Sequence, residues 1–216
     1  MYTIIIPTMW VNLTSLKKMI SIYNESSFVN EIIIIDNNTK DKIDLNFKKV
    51  KTLTKNENIY VNPAWNWGVS ESKNEKIIIA NDDILIENFE EIIIKIDDFL
   101  KDKIVIGLKI ACFNGKKEEV VIIKCEKKRP HGWGTFMAMN KKSYVFIPEY
   151  LKIWSGDDIQ FYNNNAYMIL GACVKTEMSE TIKKYNLRDM AKKDSVFYKT
   201  KCNLDGSLKQ FNLPIE

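Results

Sequence analysis

Residues 76–86 read KIIIANDDILI, an apolar run broken by Asn81, Asp82 and Asp83 before isoleucine and leucine resume. A continuous apolar run of this kind is the pattern of a strand buried on both faces of a sheet. Two adjacent carboxylates repel each other when both are ionised, so Asp82 and Asp83 must be solvated, neutralised or holding a cation. At the end of a strand, positions 81 and 83 point to the same side. Carboxylate and amide oxygens are the donors that hard cations such as Mg²⁺ and Mn²⁺ prefer. Asn and Asp also build polar turns, so the stretch by itself leaves the metal and the turn both open.

Upstream, the same alternation of buried strand and amphipathic helix repeats. YTIIIPT (2–8) is a short apolar strand stopped by Pro7 and Thr8, and EIIIID (31–36) is a second, ending on Asp36 and a run of turn formers. Between them Leu13, Leu16, Met19, Ile20 and Tyr23 fall at helical spacing. VKTLT (50–54) suits a short third strand. NPAWNWGVSESK (62–73) suits a helix with Asn62 as N-cap and Pro63 at its first position. NFEEIIIKIDDFLKD (88–102) suits an amphipathic helix capped by Asn88. Residues 1–100 therefore predict an α/β, Rossmann-like, doubly wound half: a mostly parallel central sheet with helices on both faces. Ligands of such sheets bind beyond the carboxyl ends of the strands. Three strand ends carry candidates: Pro7-Thr8, Asp36-Asn37 and Asn81-Asp82-Asp83.

Residues 101–216 change character and predict a smaller, mixed or antiparallel part. KIVIGLKIACFNGKKEEVVIIKC (103–125) suits a hairpin turning at Asn114-Gly115. GTFMAMN (134–140) suits a strand, SGDDIQFYNNNAYMI (155–169) a helix or loop-helix unit, and LGACVKT (170–176) a last short strand. The polar, Lys-rich final 40 or so residues suit a helix and a tail lying over the site. No repeat and no long linker divides the 216 residues, so one domain in two halves is expected.

The bulk numbers exclude more than they assign. With 45% hydrophobic and 28% charged residues the chain is an ordinary folded protein, large enough to need no disulfide staples. A net charge of +4 is too mild to name nucleic acid as partner, and Lys127-Lys128-Arg129 suits a solvated turn. The four cysteines have no C-x-x-C spacing, which argues against zinc and for reduced thiols. A single histidine, His131, cannot form a Ser-His-Asp triad and a His-rich metal site at once, and no G-x-S-x-G elbow exists. Without a P-loop or a G-x-G-x-x-G fingerprint, the common ATPase and dinucleotide readings fall too. No apolar run approaches the roughly 18 residues of a membrane span, and the first residues carry no basic-then-apolar leader. The expected compartment is the cytoplasm, of a bacterium or a virus-infected cell.

Two further constellations bear on chemistry. RPHGWGTFMAMN (129–140) holds Gly132 and Gly134, where backbone can approach a ligand, and Trp133, which could stack on a sugar face. WSGDDIQF (154–161) sets Asp157 and Asp158 after a small-residue turn, where a carboxylate could act as general base on an acceptor hydroxyl. Ser155-x-x-Asp158 also matches a helix capping box.

Taken in order, these motifs resemble the GT-A-fold glycosyltransferases, most of all the family 2 group. TIIIPT is similar to that family's opening nucleotide-binding strand, and EIIIIDNNT to its second strand, whose Asp contacts the base. Asn66-Trp67-Gly68 resembles its N-x-G segment, and IIIANDDILI its Asp-x-Asp strand. GWGTFMAMNKKSY is similar to the strand lining the donor-sugar and acceptor pocket, and WSGDDIQF to the segment supplying the base. The resemblance covers about residues 3–165. It implies a nucleotide-sugar donor, UDP- or GDP-linked, Mn²⁺ or Mg²⁺, and glycosyl transfer, by inversion, to a hydroxyl on a glycan, lipid-linked or other acceptor. By position, Asp83 and Asn81 become metal ligands, Asp82 lies between them, Asp36 reads the base, and Asp158 or Asp157 is the base catalyst. This sequence departs from the pattern by having Asn81 where the motif's first Asp stands and no histidine after His131. Those departures keep a non-catalytic nucleotide- or glycan-binding module in view. A sugar-phosphate nucleotidyltransferase fits less well, because PTMWVNLTS (7–15) lacks a Gly-rich basic loop.

Overall fold

A computed structural model of the chain describes residues 1–38, 43–113, 115–176 and 184–209. The first half follows the alternation read above: β1 (Tyr2–Thr8), α1 (Leu13–Glu25), β2 (Val29–Asp36), β3 (Val50–Thr54), α2 (Val61–Glu71), β4 (Lys76–Ala80), β5 (Ile84–Ile86) and α3 (Phe89–Phe99). The second half adds β6 (Ile104–Leu108), β7 (Val121–Lys124), β8 (Phe136–Asn140), α4 (Gly156–Asn163), β9 (Asn165–Leu170), β10 (Val174–Thr176) and α5 (Arg188–Lys201). Both halves share one eight-stranded sheet of order β3-β2-β1-β4-β8-β6-β9-β7. Strands β3, β2, β1 and β4 run parallel, β8 inserts antiparallel beside β4, and β6 and β9 return to the parallel direction. β5 and β10 form a separate antiparallel pair.

The isoleucine runs explain the layering. Side chains alternate across a strand, and here each alternate set meets a different core. Ile4, Ile6, Ile32, Ile34 and Ile78 join the cluster packed with α1 and α3. Ile5, Ile33, Ile35, Ile77 and Ile79 join the cluster packed with α2 and α4. All ten are fully buried, at about 1.5–3 kcal/mol of transfer free energy each. A half-exposed strand needs polar residues on its outer face, and these central strands have no outer face.

Several local expectations are corrected. The hairpin over 103–125 does not form: β9 lies between β6 and β7, parallel to the first and antiparallel to the second. Asn114 of that turn lies outside the described residues. NAYMIL (165–170) is β9 rather than helix, because those residues complete the sheet beside β6. Asn62 does not cap α2, whose N-cap is Tyr60 with φ 66°. It sits inside the helix, buried, and donates from Nδ2 to the carbonyls of Leu151 (3.3 Å) and Trp154 (3.0 Å). Asn88 precedes α3 as expected, but its amide turns away to donate to the Gly171 carbonyl and accept from the Cys173 N–H. The Ser155–Asp158 capping box is absent too: Ser155 stands at the N-cap in a left-handed conformation, with no side-chain cap bond. The expected C-terminal helix is α5, and tail residues 210–216 lie outside the described residues.

Candidate functional site

β1 pairs with β2 on one side and β4 on the other, so the chain reverses its winding between β1 and β4. That reversal opens a crevice beyond the strands' carboxyl ends, where β1 ends on Thr8 and β4 runs into Asn81-Asp82-Asp83. The Thr8 hydroxyl spans it, donating to Asp82 Oδ2 at 2.6 Å and accepting from the Trp10 N–H at 2.9 Å. Burial pushes the Asp82 carboxyl up to about 6, against the pull of the Thr8 bond. Asn81 is pinned by its N–H on the Thr135 carbonyl, 2.9 Å away. These residues floor a cleft of about 440 Å³, with Asp83 on the same wall.

The second half contributes further lining residues. Asp157 and Asp158 open α4 and share one guanidinium, Arg129 Nη1 to Asp157 Oδ2 at 2.8 Å and Nε to Asp158 Oδ1 at 2.5 Å. Asp157 Oδ1 also accepts the Asp158 N–H at 3.1 Å. Burial drives the Asp157 carboxyl above its ordinary range, and Arg129 opposes that shift. Gly134 is required here because a Cβ would overlap the Asp157 carboxylate. The loop leading to α4 is tied from two sides. Asn62 holds it from α2, and from α5 Asp194 Oδ2 accepts the N–H groups of Lys152, Ile153 and Trp154 at 3.1, 2.6 and 3.1 Å. Tyr60 and Ser155, both on the cleft wall, hold positive φ of 66° and 67°. Such conformations cost of order 1–3 kcal/mol each and persist only where the surroundings impose them.

Ten sequence candidates meet on this cleft: Pro7, Thr8, Asn37, Asn81, Asp82, Asp83, Gly132, Gly134, Asp157 and Asp158. Three do not. Trp133, expected to stack on a sugar, is fully buried; its Nε1 donates to the Tyr167 carbonyl at 2.7 Å and its ring meets Phe161 edge-on. Asn66 faces the 144–147 loop instead, accepting from Tyr144 Oη and Ile147 N and donating to Ile147 O. Asp36 Oδ1 accepts from the Trp10 indole (2.7 Å) and the Asn38 N–H (2.9 Å), which holds the turn, and the next residue, Asn37, lines the cleft. The sequence reading missed Arg129, hidden in a basic cluster, and Trp65, Leu187 and Ser195, which also line the cleft. Only the helical phase of α2 could have flagged Trp65.

The metal that the resemblance implies would have to be held by the oxygen donors of this cleft. Among the described residues no three His, Cys, Asp or Glu side chains gather as a ready-made cage. Asn81, Asp82 and Asp83 supply only oxygen donors, on the lining of the cleft. Mg²⁺-type ions take one or two carboxylates and complete their shell with water and substrate phosphates. The residues therefore fit a cation bound together with a diphosphate, and not one held by protein alone.

The sheet order, the crevice at the β1–β4 reversal and the two acidic clusters facing it define the GT-A class of α/β folds. Solved structures agree: the chain has the GT-A glycosyltransferase fold. It superposes on GalNAc-T7, crystallised with UDP, GalNAc and Mn²⁺, with a TM-score of 0.59 and 12% identity over 81% of this chain and 42% of that one. It superposes on residues 1–349 of TarS from S. aureus with a TM-score of 0.59 and 14% identity, covering 94% of this chain and 76% of that one. The same TarS fragment with UDP-GlcNAc gives 0.56 and 13% identity over 79% and 56%. At such identities the likeness establishes the fold alone. No protein-family profile matches the sequence, and no curated protein matches it by sequence. Among the described residues, no helix is long and apolar enough to cross a membrane.

Proposed function

We propose that the protein is a glycosyltransferase that moves a sugar from a nucleoside-diphosphate donor, UDP- or GDP-linked, to an acceptor hydroxyl with inversion. One observation carries this reading: oxygen donors Asn81–Asp83 and the Asp157–Asp158 pair line a single cleft at the winding reversal. In this reading the chain is one domain. Residues 1–100 hold the donor, and the remainder holds the acceptor, a glycan, lipid-linked or other alcohol.

Asp83, with Asn81, would hold Mn²⁺ or Mg²⁺ beside the diphosphate. When bound, such an ion neutralises charge on the departing phosphate oxygen. The chain's own residues do the rest. Thr8 keeps Asp82 turned toward β1, and the Gly132 and Gly134 backbone lets the sugar approach closely. An acidic-pair carboxylate takes the acceptor proton as its oxygen attacks the anomeric carbon. The anomeric C–O bond breaks with its electron pair passing to the diphosphate, through an oxocarbenium-like transition state. Nucleoside-diphosphate release from a panel of UDP- and GDP-sugars, with sugar and lipid-linked alcohols as acceptors, tests the reading. Acceptor-dependent release that Asp158→Asn abolishes supports it. Binding of a donor with no release under any acceptor would favour a non-catalytic binding module instead.

A further inference from the structure

We infer that Arg129 is a positioning residue that divides the acidic pair, anchoring Asp157 and leaving Asp158 to accept the proton. The inference rests on the glycosyltransferase reading for the proton's source, but its geometry is independent of it.

The two aspartates are neighbours in sequence and unequal in space. Both Asp157 oxygens are used, Oδ2 on Arg129 Nη1 and Oδ1 on the Asp158 N–H. Its carboxylate also packs on Gly134 with no room for a Cβ. Both carboxylates line the cleft with similar side-chain exposure, 20% and 21%, so what separates them is bonding: each Asp157 oxygen already accepts a hydrogen bond. Asp158 spends only Oδ1, on Arg129 Nε, and its Oδ2 takes part in no described hydrogen bond. Arg129 reaches both because its planar fork presents parallel donors, which a lysine's single point charge does not. The guanidinium is about one-quarter exposed and lies in the cleft wall. It therefore fixes one oxygen of Asp158, a residue that itself lines the cavity. The other titratable groups beside the trio are two phenols, Tyr162 of α4 and Tyr198 of α5. They leave Arg129 as the one cation facing the pair among the described residues.

The test combines four variants, Asp157→Asn, Asp158→Asn, Arg129→Gln and Arg129→Lys, with two kinds of readout. The first needs no substrate. Thermal melts are expected to fall by several degrees for Asp157→Asn and to stay near wild type for Asp158→Asn, whose amide oxygen still accepts from Arg129. Carboxyl ¹³C titration, assigned with the two Asn variants, is expected to move the Asp157 midpoint up in Arg129→Gln, because the guanidinium opposes the shift that burial imposes. The second readout is donor turnover. Asp158→Asn is expected to lose about 100-fold or more in kcat, and Arg129→Gln about ten-fold, with donor KM unchanged in both. Arg129→Lys should recover the titration and little of the rate. Equal melts for the two Asn variants, or an unmoved titration in Arg129→Gln, would overturn the division. So would a raised donor KM with unchanged kcat in Arg129→Gln, since Arg129 would then serve the donor phosphates. If the melts and titration behave as expected while no donor turns over, the division stands and the glycosyltransferase reading falls.

Discussion

Asp194→Ala probes how the cleft wall is held. Asp194 is buried on α5, and its single Oδ2 accepts three consecutive backbone N–H groups, from Lys152, Ile153 and Trp154. A hydrogen bond to a charged group contributes about 1.5–3 kcal/mol net. Three donors sharing one oxygen do not add fully, and alanine leaves the Ile153 N–H buried without a partner. The loss should come to about 3–5 kcal/mol, the charged hydrogen bond together with the cost of a buried donor left unsatisfied. Asp194→Asn keeps an acceptor oxygen but loses the charge, and should cost about half as much. Urea unfolding at constant m-value measures both. Hydrogen exchange should show amides 152–154 losing protection before the sheet does. If both variants lose less than 1 kcal/mol, Asp194 does not hold the loop, and the positioning of α4 needs another explanation.

Other expectations follow from single contacts. Gly134→Ala should displace Asp157 and cut turnover far more than it lowers stability, read by comparing kcat with the urea midpoint. Gly68→Ala drives a methyl into Ile5 and should destabilise by about 1–3 kcal/mol without touching the cleft. Trp133→Phe removes the Nε1 bond to Tyr167 and leaves a cavity in the core, and should cost about 2–4 kcal/mol while leaving donor affinity unchanged, since the ring does not reach the cleft. For pH, burial pulls the Asp97 carboxyl up, but its polar neighbours, the Lys76 ammonium 2.6 Å away foremost, together hold it below its ordinary range. Its stabilisation is therefore present above about pH 4 and is lost as pH falls through the lowered folded value. Asp97→Asn should flatten stability against pH in that acid window and leave the neutral region's slope unchanged.

Much of the fold was legible because its signals are local. The isoleucine runs at 4–6, 32–35 and 77–79 can only be strands buried on both faces, and the helices between them follow from 3.6-residue spacing. Where pairing depends on distant partners, local signals misled. Asn114-Gly115 looks like a hairpin turn, yet β9 from fifty residues later intrudes between the two strands. NAYMIL carries no alternation that would mark it as a strand, because it is defined by β6 beside it. In the site, residue identity at strand ends was readable, while side-chain direction was not. Trp133 and Gly134 are adjacent, and only the left-handed turn at Gly132 decides that the indole enters the core while the glycine faces Asp157. Arg129 could not be separated from Lys127 and Lys128 by composition; its ion pairs arise from a contact 28 and 29 residues away.

The most direct test of the central claim is calorimetry of UDP and GDP binding, with and without Mn²⁺, to wild type and Asp83→Ala. The account predicts that one nucleotide binds wild type with Mn²⁺, and at least ten-fold more weakly without the ion or in Asp83→Ala. No binding of either nucleotide with metal, or binding that Asp83→Ala leaves unchanged, would contradict it and leave Asn81-Asp82-Asp83 as a solvated turn on this fold.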